Sequence, residues 1–427
     1  SKMDTTELLC SLGIDKRAVL KVKDAEKALQ DQFKIIDDIC EFNQYKVIDA
    51  FHKCRVAAMH FNPSTGYGND DCGREKLSEL FAEIFKTETA IVSPLIASGT
   101  HAISIALFGL LRPLDTMLSI TGEPYDTLAT VIGLTKKNAP GSLKDYDIKF
   151  DKVELNDDGT INVKEALDRI ALNPSVKMVY IQRSRGYEWR NALSIEEIKN
   201  AICAVKAKFP DIPVVVDNCY GEFTEKLEPT EVGADLIIGS LIKNPGGGFA
   251  YTGGYLAGKQ KYIDLAESRL TAPGIGSEVG SYAAGYLQYF QGIYMSPTIV
   301  KAALKGATLT SYIFSSLGFE VSPGPFSKRS DITQAVRMTG ENELIALIRA
   351  VQKAAPVDSF VTPYPSDMPG YESKVIMAAG TFMQGGSIEL SADAPMRKPY
   401  TAYMQGGMTY ENVKLALMIA LNDMGLY

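Results

Sequence analysis

The chain has 427 residues, 46% of them hydrophobic, with a formal net charge of −7. It is long enough for two or three domains around a sizeable core. The acidic balance and the lack of an extended basic block argue against a nucleic-acid partner, and no apolar run approaches the roughly 20 residues that span a bilayer. The N-terminus shows no charged-then-apolar-then-small signal pattern, so a cytoplasmic location is expected. Six cysteines without a Cys-x-x-Cys, and three histidines without a paired spacing, predict neither a disulfide framework nor a metal site.

Up to about residue 60 the chain is charged and periodic, with apolar residues at helical spacing from Ala25 to Phe51, which predicts an N-terminal helical arm over 1–60. From Thr89 to Gly258 short β-rich runs alternate with helical patterns. The runs are Ala90–Val92, Thr116–Ile120, Val176–Ile181, Pro213–Val216, Leu236–Ile238 and Gly254–Ala257; Val163–Ala171 and Ile195–Lys208 read as helices. This alternation predicts an α/β domain over 61–297, a mostly parallel sheet covered by helices on both faces. Helical stretches at Glu278–Gln291 and Thr298–Leu317 then lead into a smaller C-terminal α+β domain over 298–427, with strands expected at Asp331–Met338, Lys374–Ala379 and Ser387–Ser391.

In such a sheet, ligands bind beyond the carboxyl ends of the strands. Three features fall on that edge. Lys243 follows the apolar Ala234–Ile238 run and precedes a glycine-rich loop, where partial desolvation favours the neutral, nucleophilic amine. Asp217 ends the Pro213–Val216 run, and Ser98-Gly99-Thr100 forms a turn before the helical Ala102–Leu111. Taken singly, these are a solvated loop lysine, a helix cap and a plain turn. Together they supply an imine partner, an anion for a pyridinium nitrogen and a phosphate cradle, the groups that pyridoxal phosphate needs.

Beyond these residues, Ser64-Thr-Gly-Tyr-Gly68, Pro124-Tyr-Asp-Thr127, Val216-Asp-Asn-Cys-Tyr-Gly221, Ser240-Leu-Ile-Lys243 and Gly386-Ser-Ile-Glu-Leu-Ser-Ala392 carry a resemblance over nearly the whole chain. The sequence resembles the fold-type I pyridoxal-phosphate enzymes, and within them the cysteine/methionine-metabolism lyases, closest to the methionine γ-lyase-like group often labelled aluminium-resistance proteins.

The resemblance implies that Lys243 is the Schiff-base lysine and Cα proton shuttle, and that Asp217 keeps the ring nitrogen protonated. It also implies that Ser98, Gly99, Thr100 and Ser240 meet the phosphate and that Tyr125 stacks on the ring and helps the leaving group. Tyr67 would reach a neighbouring subunit's phosphate, and Arg397 would take the substrate carboxylate. The family's Tyr-x-Arg is replaced here by Tyr67-Gly-Asn69, with the nearest arginine at Arg74. The Arg183-Ser-Arg185 loop follows another strand and is a further source of a pocket cation, while His101 reads as a satisfied histidine of the first helical turn. The activity implied is β- or γ-elimination from a sulfur amino acid by a homo-oligomer, dimer or tetramer, with shared sites. The alternatives are an aminotransferase, a γ-replacement synthase, or a pyridoxal-phosphate-binding stress or regulatory protein.

Overall fold

The computed structural model describes residues 3–67, 71–135, 139–369 and 371–427. In chain order its helices and strands are α1 (Thr5–Ser11), α2 (Lys16–Ala28), α3 (Gln30–Lys53), α4 (Cys72–Ile84), β1 (Thr89–Ser93), α5 (Gly99–Leu110), β2 (Thr116–Ser119), α6 (Asp126–Ile132), β3 (Lys149–Lys152), α7 (Val163–Leu172), β4 (Val176–Gln182), α8 (Ile195–Lys208), β5 (Val214–Asp217), β6 (Leu236–Ser240), β7 (Gly254–Gly258) and α9 (Gln260–Glu267). They continue with α10 (Leu287–Ser316), β8 (Val321–Ser322), β9 (Thr333–Arg337), α11 (Glu341–Ala354), β10 (Val375–Ala378), β11 (Ser391–Pro395), β12 (Thr401–Gln405) and α12 (Tyr410–Met424). The chain divides into two compact units, Phe42–Ser296 and Ser1–Glu41 with Pro297–Tyr427, the divisions falling inside α3 and α10.

The central unit holds a seven-stranded sheet in the order β1-β7-β6-β5-β4-β2-β3. Its β2–β3, β2–β4, β4–β5 and β5–β6 pairs are parallel, while β7 runs antiparallel to both β6 and β1. Every residue of β2, β5, β6 and β7 is buried, as expected of strands covered on both faces. One face is closed by α5, whose Ala102, Ile103, Ile105, Ala106 and Leu107 share a core with Met117, Tyr180, Val215, Leu236, Ile238 and Leu256. Burial of each large side chain contributes about 1.5–3 kcal/mol. Gly254 allows the start of α5 to lie against the sheet: a Cβ there would sit 2.7 Å from Ile96 Cγ2 and 3.1 Å from Ala102 Cβ.

Strand register sets the edge where the candidate residues meet. Ser93 and Ser240 both pair with Gly254, Asp217 pairs with Ile238, and Gln182 with Asp217. Because β7 opposes both β1 and β6, those two strands point the same way, so α5 starts at the same edge of the sheet at which β4, β5 and β6 end.

The other unit carries a five-stranded antiparallel sheet, β10-β11-β12-β9-β8, with α11 packed on α12. Its N-terminal segment is tied to α12 by Asp15 N–H donating to Asn422 (2.8 Å), Tyr410 Oη donating to Glu26 (2.9 Å) and the Lys414–Glu26 ion pair (3.0 Å). No helix among the described residues is long and apolar enough to cross a membrane.

Two expectations need correction. The two helical stretches around Pro297 are one helix, α10, that starts at Leu287, nine residues later than expected; proline lacks an N–H and usually ends a helix, which suggested a break that does not occur. The strand expected at Ser387–Ser391 begins at Ser391 instead. Glu389 ahead of it collects the Phe382 and Met383 N–H groups (2.7 and 2.8 Å) and the Ser387 hydroxyl (3.2 Å), which holds that segment as a loop. Besides these, β3, β8 and β12 were not foreseen: β3 is Lys-Phe-Asp-Lys, with a lone apolar residue, and β8 is only two residues long.

Candidate active site at the carboxyl ends of β5 and β6

Asp217, the last residue of β5, is 4% exposed and accepts the Cys219 N–H at 3.1 Å. The chain then turns through Tyr220, whose φ of 67° is unusual for a residue with a side chain. This turn puts the Tyr220 ring 4.3 Å from Lys243 Nζ. Lys243 itself sits three residues beyond β6 and is half-buried. Burial works against the charged amine, but Cys219, Tyr220, Tyr125 and Asp217 together carry its pKa upward. The Cys219 thiol and Tyr125 phenol are themselves pushed up, first by burial, and stay neutral near pH 7. Asp217 is the carboxyl among them, and its attraction works against the neutral amine expected from desolvation alone. Asp217 is raised by burial, opposed by Lys243 and the Cys219 N–H.

Ser98 is the N-cap of α5, and its hydroxyl accepts the His101 N–H at 3.0 Å. The hydroxyl oxygen accepts there while its own O–H can still donate, and beside it the Gly99 and Thr100 N–H groups of the first turn have no intrahelical acceptor. A Cβ on Gly99 would lie 3.3 Å from Ser240 Cβ and 3.5 Å from Cys219 Sγ, so this turn lies directly against the ends of β5 and β6. Ser240 is 1% exposed, and its Oγ has no hydrogen-bond partner among the described residues. Tyr125 precedes α6; its hydroxyl is 2.9 Å from Thr100 Oγ1, which also lies 2.9 Å from Thr127 Oγ1. The Tyr125 N–H donates to Gln182 at the end of β4 (3.1 Å). His101 accepts the Ala97 N–H at 2.9 Å, and burial lowers its pKa.

The remaining candidates have the following surroundings. Arg183 is fully buried and spent on structure: it donates to Leu193 O (3.1 Å), Asn218 Oδ1 (3.0 Å), Gly221 O (3.0 Å) and Glu225 Oε2 (2.8 Å), so it braces the loop after β5. Arg185 is 1% exposed and donates to Glu188 O. Arg74 donates to Gly66 O at 3.1 Å and lies 3.6 Å from Asp71. Tyr67 is 70% exposed, while Gly68 and Asn69 lie outside the described residues. Arg397 belongs to the other unit, in the exposed turn between β11 and β12. A groove of about 520 Å³ runs beside β1, lined among others by Glu75, Ser78, Glu88 and Tyr282, but Lys243, Asp217, Tyr125 and Ser240 are not in it.

The methionine gamma-lyase family model matches residues 19–425. The chain belongs to that family. Among its relatives, the uncharacterised YnbB protein of Bacillus subtilis (strain 168) is 50% identical over 391 residues, 92% of either chain. The crystal structure of a carbon–sulfur lyase involved in aluminium resistance from Clostridium novyi NT is 48% identical, with a TM-score of 0.95 over 99% of this chain and 100% of that one. A pyridoxal-5'-phosphate-dependent protein from Escherichia coli, YhfS, is only 17% identical yet has a TM-score of 0.60 over 90% of this chain and 96% of its own, a likeness of fold alone. The fold is fold-type I, and the methionine gamma-lyase family implies pyridoxal phosphate.

The residues present fit that group. A buried Ser240 hydroxyl without a partner stands beside helix N–H groups, at a turn where a Gly99 side chain would crowd Ser240, and a lysine and a buried carboxylate lie within electrostatic reach of one another. Four residues of this arrangement were missed in the sequence. Cys219 and Tyr220 sit between Asp217 and Lys243, Gln182 positions Tyr125, and Tyr180 places its buried phenol near Asp217. Cys219 and Tyr220 lay within the Val216–Gly221 motif but had no role to announce them, while the pairing of Gln182 with Asp217 follows from strand register alone.

Proposed function

We propose that this protein is a pyridoxal-phosphate-dependent carbon–sulfur lyase that acts on a sulfur amino acid by β- or γ-elimination. The observation that carries this reading is the meeting of Lys243, Asp217, Tyr125 and the unpartnered Ser240 hydroxyl at one sheet edge, in a chain of the methionine gamma-lyase family. Bound pyridoxal phosphate supplies an electron sink for the charge left when a Cα proton is removed. Lys243 is the residue to hold it and, once freed by substrate, to accept the Cα proton and return it. Asp217 retains a proton on the ring nitrogen. Ser240 Oγ with the Gly99 and Thr100 N–H groups takes the phosphate, and the neutral Tyr125 phenol is able to donate a proton to the departing sulfur. Products formed by the purified protein from cystathionine, cysteine, methionine and homocysteine test the reading: pyruvate with a thiol, or with sulfide from cysteine, marks β-elimination; 2-oxobutyrate with a thiol, or with sulfide from homocysteine, marks γ-elimination; and neither 2-oxo acid from any of the four rejects it.

Arg397 is assigned to the substrate carboxylate, a planar anion that a guanidinium meets with two parallel hydrogen bonds. Arg397→Ala is expected to raise KM by about ten- to a hundredfold, the weight of a charge-assisted hydrogen bond of about 1.5–3 kcal/mol, with the cofactor spectrum unchanged. Unaltered kinetics would return Arg397 to solvent.

Exposed Tyr67 is assigned to the phosphate of a neighbouring copy, which makes the working unit a homo-oligomer with shared sites. Mixing inactive Tyr67→Ala and Lys243→Ala proteins under conditions of subunit exchange is then expected to restore part of the activity. Exchange without recovery places both residues in one subunit's site.

A further inference from the structure

Glu222 follows the Tyr220 turn and is fully buried. Its Oε1 accepts from the Tyr255 hydroxyl at 3.2 Å, while Oε2 has no hydrogen-bond partner among the described residues. Its main-chain carbonyl accepts from the side-chain amide of Asn244 at 2.9 Å, and the Oδ1 of that same amide is also buried without a donor. Asn244 is the residue next to Lys243. Two buried acceptors that lack donors on neighbouring groups call for a proton that hydrogen-bond partners alone do not supply.

A second buried carboxyl, Glu228, has what Glu222 lacks. It accepts the Phe223 N–H (2.9 Å) and the Asn218 amide (3.1 Å), and Arg183 Nη1 lies 4.0 Å away. When two acids share a buried region, the one with donors and a guanidinium takes the charge and the other keeps its proton. The titratable groups that face Glu222 are Glu228, Lys243, Tyr255 and Cys219. Burial first, and then Glu228, push the Glu222 carboxyl well above its usual range, against Lys243 and the Tyr255 hydroxyl.

We propose that Glu222 keeps its proton in the folded protein and is a positioning residue for Lys243. Protonated, Oε2 becomes a donor at the base of the lysine loop, where Asn244 Oδ1 is the acceptor still open, and no second full anion is added beside the amine. Asp217 already favours the ammonium; an ionised Glu222 would hold it more firmly and hinder the release of the proton that cofactor attachment requires. This last step rests on Lys243 being the cofactor lysine, whereas the protonation of Glu222 does not.

Glu222→Gln keeps the size and neutrality of a protonated Glu222: its amide oxygen can accept from Tyr255, and its NH2 offers the donor that the proposal gives to Oε2. Infrared difference spectra of the apoprotein near pH 7, wild type minus variant, are expected to show the carbonyl band of an un-ionised carboxyl; its absence would overturn the proposal. Thermal unfolding gives a second reading. An acid with a raised folded-state pKa contributes stability that is fully present below its ordinary value of 4.5 and is lost as pH rises towards the folded value. The variant has no such loss, so its melting temperature should gain on the wild type steadily above about pH 5, and a difference that stays flat with pH contradicts the idea.

Loading of the apoprotein with pyridoxal phosphate, followed by visible absorbance against pH, tests the effect on Lys243. The two profiles should overlie near neutrality. A variant profile displaced to lower pH by about one unit or more would mean that wild-type Glu222 is an anion beside the lysine. If neither protein develops a visible band, the cofactor reading fails, and the infrared and unfolding results still decide the state of Glu222.

Discussion

Lys243→Ala is expected to abolish the visible absorbance of a lysine-bound cofactor and to lower elimination by about 10⁴-fold or more, because one side chain both anchors the cofactor and moves the Cα proton. Among the described residues the amine that lies beside Asp217 and over the Tyr220 ring is that of Lys243. The control is Lys243→Arg, which keeps a cation next to the Asp217 carboxylate but has no amine able to form an imine. It should fold with a melting temperature close to the wild type and still lack the visible band. A lysine adduct trapped by borohydride in either variant would place the attachment elsewhere.

Asp217→Asn should bind pyridoxal phosphate yet lose about 10²–10³-fold in turnover, the usual cost of removing one preorganised charge partner from a buried site. The phosphate contacts proposed for Ser240 and the α5 N-terminus are untouched by the change, and an asparagine oxygen still accepts the Cys219 N–H. The sign of the pH effect is also set. Asp217 raises the pKa of Lys243, so without its charge the amine loses its proton at lower pH, and cofactor loading should move in the acid direction. Wild-type turnover in the variant would mean that another group protonates the ring nitrogen.

Much of the central sheet was legible because its strands are short apolar runs that end in polar residues: β5 is Val-Val-Val-Asp and β6 is Leu-Ile-Ile-Gly-Ser. That pattern alone put Asp217 and Lys243 on one edge. The antiparallel course of β7 was not readable, since Gly254–Gly258 has the same composition in either direction. The edge strand β3, Lys-Phe-Asp-Lys, alternates polar and apolar over too few residues to stand out.

Within the site, what escaped sequence reading depends on long-range partners. Arg183 looked available for a ligand until its guanidinium met Asn218 and Glu225, 35 and 42 residues away. Ser98 is legible as a turn residue ahead of α5, but its capping of the His101 N–H shows only once the helix start is fixed. Desolvation of Lys243 is readable from its place after a buried strand, whereas the buried carboxyl that opposes it stands on another strand and is brought near only by the fold.

The central claim is that the site eliminates a thiol and restores itself at each turnover. An elimination enzyme needs no second substrate, whereas a transaminase stops with its cofactor aminated until a 2-oxo acid arrives. The direct measurement supplies one sulfur amino acid alone, in large excess over the loaded enzyme, and counts thiol, ammonia and 2-oxo acid. Equal amounts of all three, continuing through many turnovers, are the result expected. A reaction that halts after one equivalent, without ammonia, and resumes only on addition of a 2-oxo acid would contradict it.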